Sequence, residues 1–221
     1  MSNQTMRVGI RACFISIAVL VAWGRPCAVW ADSESAPTRE YKIKAAFMHH
    51  FITFVSGWDF QQKGGRASEA DADGPAPILI GIVGRDPFRG AFAPLLDRQV
   101  RGRRIEVKLF KGLSELSRDG EEVKRHPAHE RIKKCDLVFI SASERQHIEV
   151  LLGPIRQERI LTIADTPGFL EKGGVINLVT EGRKVRFEIN TAGARRARLT
   201  IRSQLLRLAK RVIDEDNHGE T

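Results

Sequence analysis

A helical spacing of apolar positions marks residues 41–55. The apolar side chains recur every three or four residues, which places them on one face of a helix. Gly57 and Trp58 end the pattern, and residues 61–77 are rich in Gly, Ala, Asp and Pro without an apolar period, which indicates a surface loop. The pattern predicts one amphipathic helix whose apolar stripe comprises Tyr41, Ala45, Met48, Ile52 and Val55.

Beyond residue 77, short apolar runs alternate with helical patterns. The runs lie at residues 78–83, 104–110, 136–140 and 160–164. Strands that alternate with helices are typical of βαβ units and a mostly parallel sheet. Patterns of helix N-caps and of a capping box follow three of the runs, so crossover helices are expected to begin at Asp86-Pro87, at Ser143 with Gln146, and at Thr166-Pro167.

The last third of the chain begins with a hairpin pattern. Residues 175–179 and 184–190 read as strands, and a glycine lies in the short turn between them. Beyond Asn190 the strand period and the helix period overlap, and we favour a helix from about Arg202 onward. The side chains expected to be buried together are Phe187, Ile189, Leu205 and Leu208.

These elements predict an α/β fold with a mostly parallel central sheet, flanking helices, and a C-terminal β-hairpin followed by a helix. A chain of 221 residues with 42% hydrophobic residues is sufficient for one ordinary core. The domain is expected to span residues 40–213, and residues 214–221 are expected to form a flexible tail.

The amino end has the pattern of a secretory signal peptide. Arg7 and Arg11 precede an apolar run at residues 12–23, and a polar segment begins after Ala31. The run is shorter than the roughly twenty residues that a membrane-spanning helix needs. We therefore expect residues 1–31 to be a signal peptide cleaved after Ala31, so that the protein is exported. A retained anchor and lipid attachment at Cys27 are the alternatives.

Export changes what the net charge and the number of cysteines imply about the partners of the protein. The whole chain has a formal charge of +9, and cleavage removes three arginines and no acid, which leaves +6. An exported chain has little access to nucleic acid, and few aromatic residues accompany its C-terminal arginines, so nucleic-acid binding is not expected. Arg195, Arg196 and Arg198 then form a solvated helix face, a docking face for an acidic partner, or a contact with anionic lipid. Cys135 remains as the only cysteine and is interpreted as a half-buried small apolar residue, with a reactive or intermolecular thiol as the alternative.

Polar residues follow the carboxyl ends of the predicted parallel strands, where ligands bind in open α/β sheets. Gly84, Asp86, Ser141 and Asp165 are therefore candidates for a crevice that holds a small anion on helix amino ends. The alternative is that these residues only cap helices and form turns. The segment GIVGRD lacks a dinucleotide-binding pattern, and no cofactor is expected.

Metal binding and catalysis have no sequence support. His126 and His129 lie in a charged stretch without further ligands at a known spacing, and the pair His49 and His50 points to different faces of a helix. The chain has no nucleophile-elbow motif. We therefore expect neither a metal site nor an enzyme.

Six segments in order resemble the YfiR family of periplasmic proteins. They are YKIKAAFMHHFITFVSGW, ILIGIVGRDPF, VRGRRIEVKLF, CDLVFISASE, ILTIAD and VRFEINTAGARRARLTIRSQLLRLA. The resemblance covers about residues 40–211, and its most specific parts are the first helix and the last segment. Two departures are the single cysteine of the exported chain, where the characterised branch has cysteine pairs, and Asp59 after Trp58, where proline is frequent.

The resemblance implies a regulator and not an enzyme. It implies binding to the periplasmic domain of an inner-membrane diguanylate cyclase, lower cyclic-di-GMP output, less biofilm, and a homodimer. No catalytic or binding residue is transferred from the family. The alternative function, drawn from the residues, is a periplasmic binding module for a small anionic ligand at Gly84, Asp86, Ser141 and Asp165.

Overall fold

The computed structural model describes residues 38–58, 75–116 and 125–214. The expected signal peptide with its cleavage after Ala31, most of the predicted loop at 61–77, and all but the first residue of the predicted tail lie outside these ranges. Among the described residues, no helix is long and apolar enough to cross a membrane.

A seven-stranded sheet forms the centre of the domain. From one edge to the other, its strands are β3 (Ile105–Phe110), β2 (Ile78–Val83), β4 (Leu137–Ile140), β5 (Leu161–Ala164), β6 (Ile176–Glu181), β7 (Lys184–Asn190) and β9 (Arg211–Ile213). Neighbouring strands are parallel except β6 and β7, which form the antiparallel hairpin. This arrangement confirms the predicted α/β class and the mostly parallel sheet.

The central strands are apolar because both faces of the sheet are covered. Every residue of β4 and of β5 is buried, and a parallel strand that is covered on both faces has this continuous apolar pattern. One core cluster lies on the side of the sheet that carries the first helix, and the second includes Phe110, Ile140, Leu152 and Phe169.

Helix α1 (Arg39–Phe54) matches the predicted amphipathic helix. Met48, Phe51 and Ile52 are fully buried, and the ring centroids of Phe51 and Phe187 lie 5.2 Å apart. The chain continues from α1 into β1 (Val55–Ser56), which pairs antiparallel with β8 (Thr200–Ile201). The Arg101 guanidinium donates to the Val55 carbonyl at 2.7 Å, so it satisfies a carbonyl group at the end of the helix.

The remaining helices are short. Two of the three predicted helix starts, those at Asp86-Pro87 and Thr166-Pro167, are wrong, and the start predicted at Ser143 is two residues late. The Asp86 carboxylate accepts from the Phe88 N–H at 2.8 Å in a turn, and no helix begins before Ala93. Ser141 and not Ser143 precedes the 3₁₀ helix Ala142–His147, and turns follow Thr166. Short polar caps also form Asx and related turns, so the pattern did not distinguish turns from crossover helices. The short helices are α2 (Ala93–Leu96), α3 (Leu113–Leu116), α4 (His129–Ile132), α5 (Ile148–Leu152), α6 (Thr191–Arg196) and α7 (Ser203–Leu208).

The end of the domain corrects one part of the sequence analysis. Helix α7 ends at Leu208, and the chain then forms strand β9. Just before this strand, the Lys210 N–H donates a hydrogen bond to the Phe187 carbonyl of β7. Phe187, Ile189 and Leu205 are buried as expected, but the burial predicted for Leu208 is wrong, since it is 65% exposed. The helical spacing could not show that the backbone leaves the helix at Ala209 in order to pair with β7.

This difference within α7 provides a matched pair of substitutions. Leu205 is 3% exposed and Leu208 is 65% exposed. Leu205→Ala should lower the free energy of unfolding by about 2–5 kcal/mol, because it leaves a cavity in the core. Leu208→Ala on the same helix should change it by less than about 0.5 kcal/mol. Urea denaturation of both variants measures the difference, and equal losses would contradict the burial described here.

Candidate functional site

A groove of about 540 Å³ opens at the carboxyl end of β5. The first turns of α1 form one wall, and residues of β6, β7 and β9 form the other. Its volume is within the range of small-molecule sites. The polar residues that line it are Glu40, Tyr41, Lys44, Asp165, Asn177, Thr180, Glu188 and Arg211.

Asp165 is the centre of the polar network in this groove. Its Oδ2 accepts hydrogen bonds from the Tyr41 hydroxyl at 2.9 Å and from Lys44 Nζ at 2.7 Å. Lys44 Nζ also contacts Glu40 Oε1 at 2.6 Å and lies 4.4 Å from the centre of the Tyr41 ring. The side chains of Lys44 and Asp165 are 4% and 5% exposed, so two opposite charges are buried together. Asp165 Oδ1 is buried and has no hydrogen-bond partner among the described residues.

The network changes the acidity of its members. Burial, the charge of Asp165 and the hydrogen bond to it all disfavour the phenolate, so the pKa of Tyr41 lies well above its ordinary value. Burial opposes ionisation of Glu40, but hydrogen bonds from Lys44 and Thr180 outweigh it and hold the pKa of this carboxyl below its ordinary value. Tyr41 is thus a hydrogen-bond donor to Asp165, beside a Glu40 carboxylate whose ionised form is stabilised by Lys44 and Thr180.

Contacts from the sheet position the two walls. Thr180 Oγ1 on β6 donates to Glu40 Oε1 at 2.8 Å, which links α1 to the hairpin. Asn177 Oδ1 accepts from the Thr166 N–H at 3.1 Å and holds the turn that follows Asp165. These contacts join α1, β6 and the end of β5.

An arginine of the last strand closes the opposite wall. Arg211 on β9 donates to both carboxylate oxygens of Glu188, at 3.2 and 3.1 Å, and to Glu171 at 2.9 Å. These hydrogen bonds, first to Glu188 and then to Glu171, raise the pKa of the Arg211 guanidinium. The unpredicted strand β9 therefore supplies part of the groove.

Of the predicted crevice residues, only Asp165 lines this groove. Asp86 accepts backbone hydrogen bonds within its own turn, and Ser141 is buried. Gly84 lies against Glu144: a Cβ atom on Gly84 would come within 2.8 Å of the Glu144 side chain. The four residues follow three strands of one sheet edge, but the described groove brings Asp165 together with α1 and not with Gly84.

Sequence reasoning missed Glu144, which is fully buried at the ends of β2 and β3. It accepts hydrogen bonds from the Ser114 N–H and hydroxyl and from the Ser143 hydroxyl. A Cβ atom on Gly112 would lie 1.9 Å from Glu144 Oε1, so only glycine leaves room for this carboxylate. No single segment of the sequence indicates this contact.

Sequence reasoning also missed Lys44, although one signal was present. Lys44 lies between Tyr41 and Met48 on the predicted apolar stripe of α1, at a position that is buried. A lysine on such a stripe requires a buried anionic partner. Its partner Asp165 is 121 residues away in the chain and could not be assigned from the helix.

His126 and Cys135 both have structural contacts. His126 Nδ1 accepts from the Ala128 N–H at 2.9 Å, so the protonated Nε2 donates to the Lys111 carbonyl at 2.7 Å. No group of three or more potential metal-ligating side chains occurs within the parts of the chain that the structure describes. Cys135 is fully buried, and a Cβ atom on Gly81 would lie 2.9 Å from its Sγ.

The three arginines of the predicted docking face have different surroundings. Arg195 is 61% exposed and forms an ion pair with Asp214. Arg196 is partly buried and lies against the turn at Gly173, beside Arg156. Arg198 is exposed and has a left-handed backbone, with a φ of 55°, two residues after the end of α6.

Comparisons with known proteins give one family match. A family model described as YfiR/HmsC-like matches residues 41–210. A comparison with curated proteins gives no match.

Two solved structures show weak similarity to the chain. A conserved domain protein from Vibrio cholerae O1 biovar El Tor strain N16961 is 10% identical over 78% of this chain and 60% of that chain, with a TM-score of 0.49. The ABC domain in complex with L-Trp from Streptococcus pneumonia is 12% identical over 61% of this chain and 55% of that chain, with a TM-score of 0.41. The chain therefore spans less than two thirds of the length of either structure.

If Lys44 and Asp165 form a buried ion pair, substitutions at these residues should lower the free energy of unfolding much more than a substitution at an exposed lysine. Lys44→Met should lower the free energy of unfolding by about 3–5 kcal/mol, because Asp165 would stay buried without its cation. Adding Asp165→Asn should cost less in this variant than in the wild type. The exposed Lys42→Met on the same helix is the control and should cost less than about 0.5 kcal/mol. Chemical denaturation of the wild type and the four variants measures these values, and equal losses for Lys44→Met and Lys42→Met would contradict a buried pair.

Tyr41 is the only tyrosine of the chain, so phenolate absorbance reports on it directly. Folded protein should show little phenolate at about pH 10, where free tyrosine is half ionised, because its pKa is raised. Asp165→Asn should move the titration to lower pH, since the charge and the accepting carboxylate are lost. The contribution of Tyr41 to stability is present below the pKa of free tyrosine and is lost as pH rises through the folded value.

A titration in urea gives the unfolded reference for Tyr41. Folded protein that ionises at the same pH as this reference would contradict the Tyr41–Asp165 hydrogen bond.

Proposed function

The chain belongs to the YfiR/HmsC-like family, and on that premise we propose that it is a periplasmic regulator of cyclic-di-GMP signalling. It binds the periplasmic part of an inner-membrane signalling enzyme, a diguanylate cyclase, and lowers its output. It acts by binding and not by catalysis. The homodimer that the family resemblance implies belongs to the same proposal.

The family match carries this proposal, because it includes nearly the whole described domain. Residues 41–210 extend from the first turn of α1 through α7, and they include both walls of the groove except Arg211 and the start of α1. The match therefore refers to the complete α/β domain and not to one short motif.

The docking face proposed for the partner consists of Arg195, Arg196 and Arg198. The exposure of Arg195 and Arg198 supports it. Arg195 is paired with Asp214, but an ion pair this exposed contributes little to stability and can exchange for a carboxylate of an acidic partner. Arg196 is held against the turn at Gly173, so it supports the face more than it contacts a partner.

Deletion and complementation test the function. Deleting the gene should raise cyclic-di-GMP and biofilm formation, and the wild-type gene should restore both. The variant Arg195→Glu/Arg198→Glu should fail to restore them, because a reversed charge repels an acidic partner. Arg104→Glu, an exposed change next to the edge strand β3, is the matched control and should restore both.

Quantification of each variant in the periplasmic fraction excludes loss by degradation. Cyclic-di-GMP that is unchanged by the deletion would refute the cyclase partner. Full restoration by the double variant would refute only the docking face.

A further inference from the structure

Two segments rich in arginine meet at the carboxyl end of α1, far from the groove at its start. Residues 97–101 and 195–202 together contain six arginines and one acidic residue. The Arg101 guanidinium donates to the Val55 carbonyl at 2.7 Å. Strand β8, which lies within the second segment, pairs with β1 directly after the helix. The fold therefore concentrates positive charge from two distant parts of the chain at one helix end.

Four exposed arginines form what we term the basic end of α1: Arg98, Arg101, Arg198 and Arg202. Burial and then the charge of Arg202 lower the pKa of Arg101, which shows that these two cations lie close together. The Arg202 N–H donates to the carbonyl of the last residue of α1 at 3.0 Å. A Cβ atom on Gly57 would collide with the Arg198 carbonyl, so Arg198 lies against the chain just after β1.

Arg98 extends the same positive field to the side of α1. Burial is the first cause of the lowered pKa of His49, and the charges of His50 and Arg98 add to it. Within the parts of the chain that the structure describes, no arginine of the basic end forms an ion pair with a carboxylate. Like charges that are held together in this way attract an anionic surface.

Apolar side chains lie beside these arginines. Trp58 Nε1 donates at 2.7 Å to the Val55 carbonyl, which also accepts from Arg101, so the indole and the guanidinium are neighbours. The Trp58 residue is only partly buried. Leu96 is 39% exposed and lies two residues before Arg98. Tryptophan and leucine next to basic residues are typical of surfaces that lie at the boundary between lipid head groups and acyl chains.

We propose that the basic end of α1 docks on an anionic phospholipid bilayer. The arginines contact the phosphate groups, while Trp58 and Leu96 reach the apolar boundary beneath them. Lipid head groups move freely in the plane of the bilayer, so they can meet charges that are spread around a helix end. Docking on lipid rests on the proposed function in one respect, since a regulator of an inner-membrane enzyme acts beside such a bilayer. It would raise the local concentration of the regulator at the enzyme.

Co-sedimentation of the exported chain, residues 32–221, with lipid vesicles tests the proposal. We expect binding to vesicles of phosphatidylcholine and phosphatidylglycerol in equal parts, and none to phosphatidylcholine alone, at an ionic strength of about 0.15 M. Added salt should weaken the binding, because the main attraction is electrostatic. Trp58 is the only tryptophan of the exported chain, so a shift of its fluorescence to shorter wavelength should accompany binding.

Charge reversals at the two ends of α1 locate the contact. Arg98→Glu/Arg202→Glu should weaken binding to the anionic vesicles at least about tenfold. The control Arg39→Glu/Arg183→Glu changes the net charge equally beside the start of α1, and should weaken binding less than about threefold. The 16 residues of α1 span about 24 Å, well beyond the screening length of about 8 Å. All four side chains are exposed, so both variants should fold.

Three results would overturn the proposal: no binding to the anionic vesicles, equal binding to neutral vesicles, or equal weakening by the two variants. If the wild type bound no vesicles but Arg98→Glu/Arg202→Glu lost capture of the periplasmic domain of the enzyme, the basic end would serve an acidic protein instead of lipid. Arg195 and Arg198 of the proposed docking face stay unchanged in both variants. Because the vesicles contain no protein, their failure to bind is distinct from a failure of the regulatory function, which gene deletion tests.

Discussion

The packing of α1 on the sheet is the contact on which the other features depend. Phe47 and Phe51 of this helix both meet Phe187 of β7, so the first helix is held by the last third of the chain. The pairing of β1 with β8 directly after the helix adds a second link between the same regions. Long-range apolar contacts therefore place the start of the domain beside its end, and the groove lies where these regions meet.

The two ends of α1 are held by different kinds of interaction. The later turns are buried in the apolar core, whereas the first turns contact the sheet through Glu40, Tyr41 and Lys44. A buried charge is unfavourable unless it is paired, and Lys44 is paired with two carboxylates. Polar contacts can exchange partners without opening the core, so the start of α1 is the part of the helix that a bound molecule can influence.

Family membership and the groove provide different information about function. The family match concerns the whole domain and supports a regulatory role, while the geometry concerns one site and its chemistry. The family match identifies no individual functional residue, whereas the contacts of Asp165 and its neighbours define the chemistry of one site.

The amino-acid sequence by itself determined the elements that arise from local patterns. The period of α1 and the apolar runs of β2, β4 and β5 were predictable, because each repeats within a few residues and the burial of a strand on both faces requires an apolar run. The position of Asp165 at the end of a parallel strand could also be predicted from the sequence, since the carboxyl ends of parallel strands share one edge of the sheet. Tertiary structure alone decided that Lys44 pairs with Asp165, that Glu144 lies against Gly84 and Gly112, and that the chain leaves α7 to form β9. These contacts join residues far apart in the chain, and no periodicity within one segment records which distant residue satisfies a buried charge or which strand edge is open for pairing.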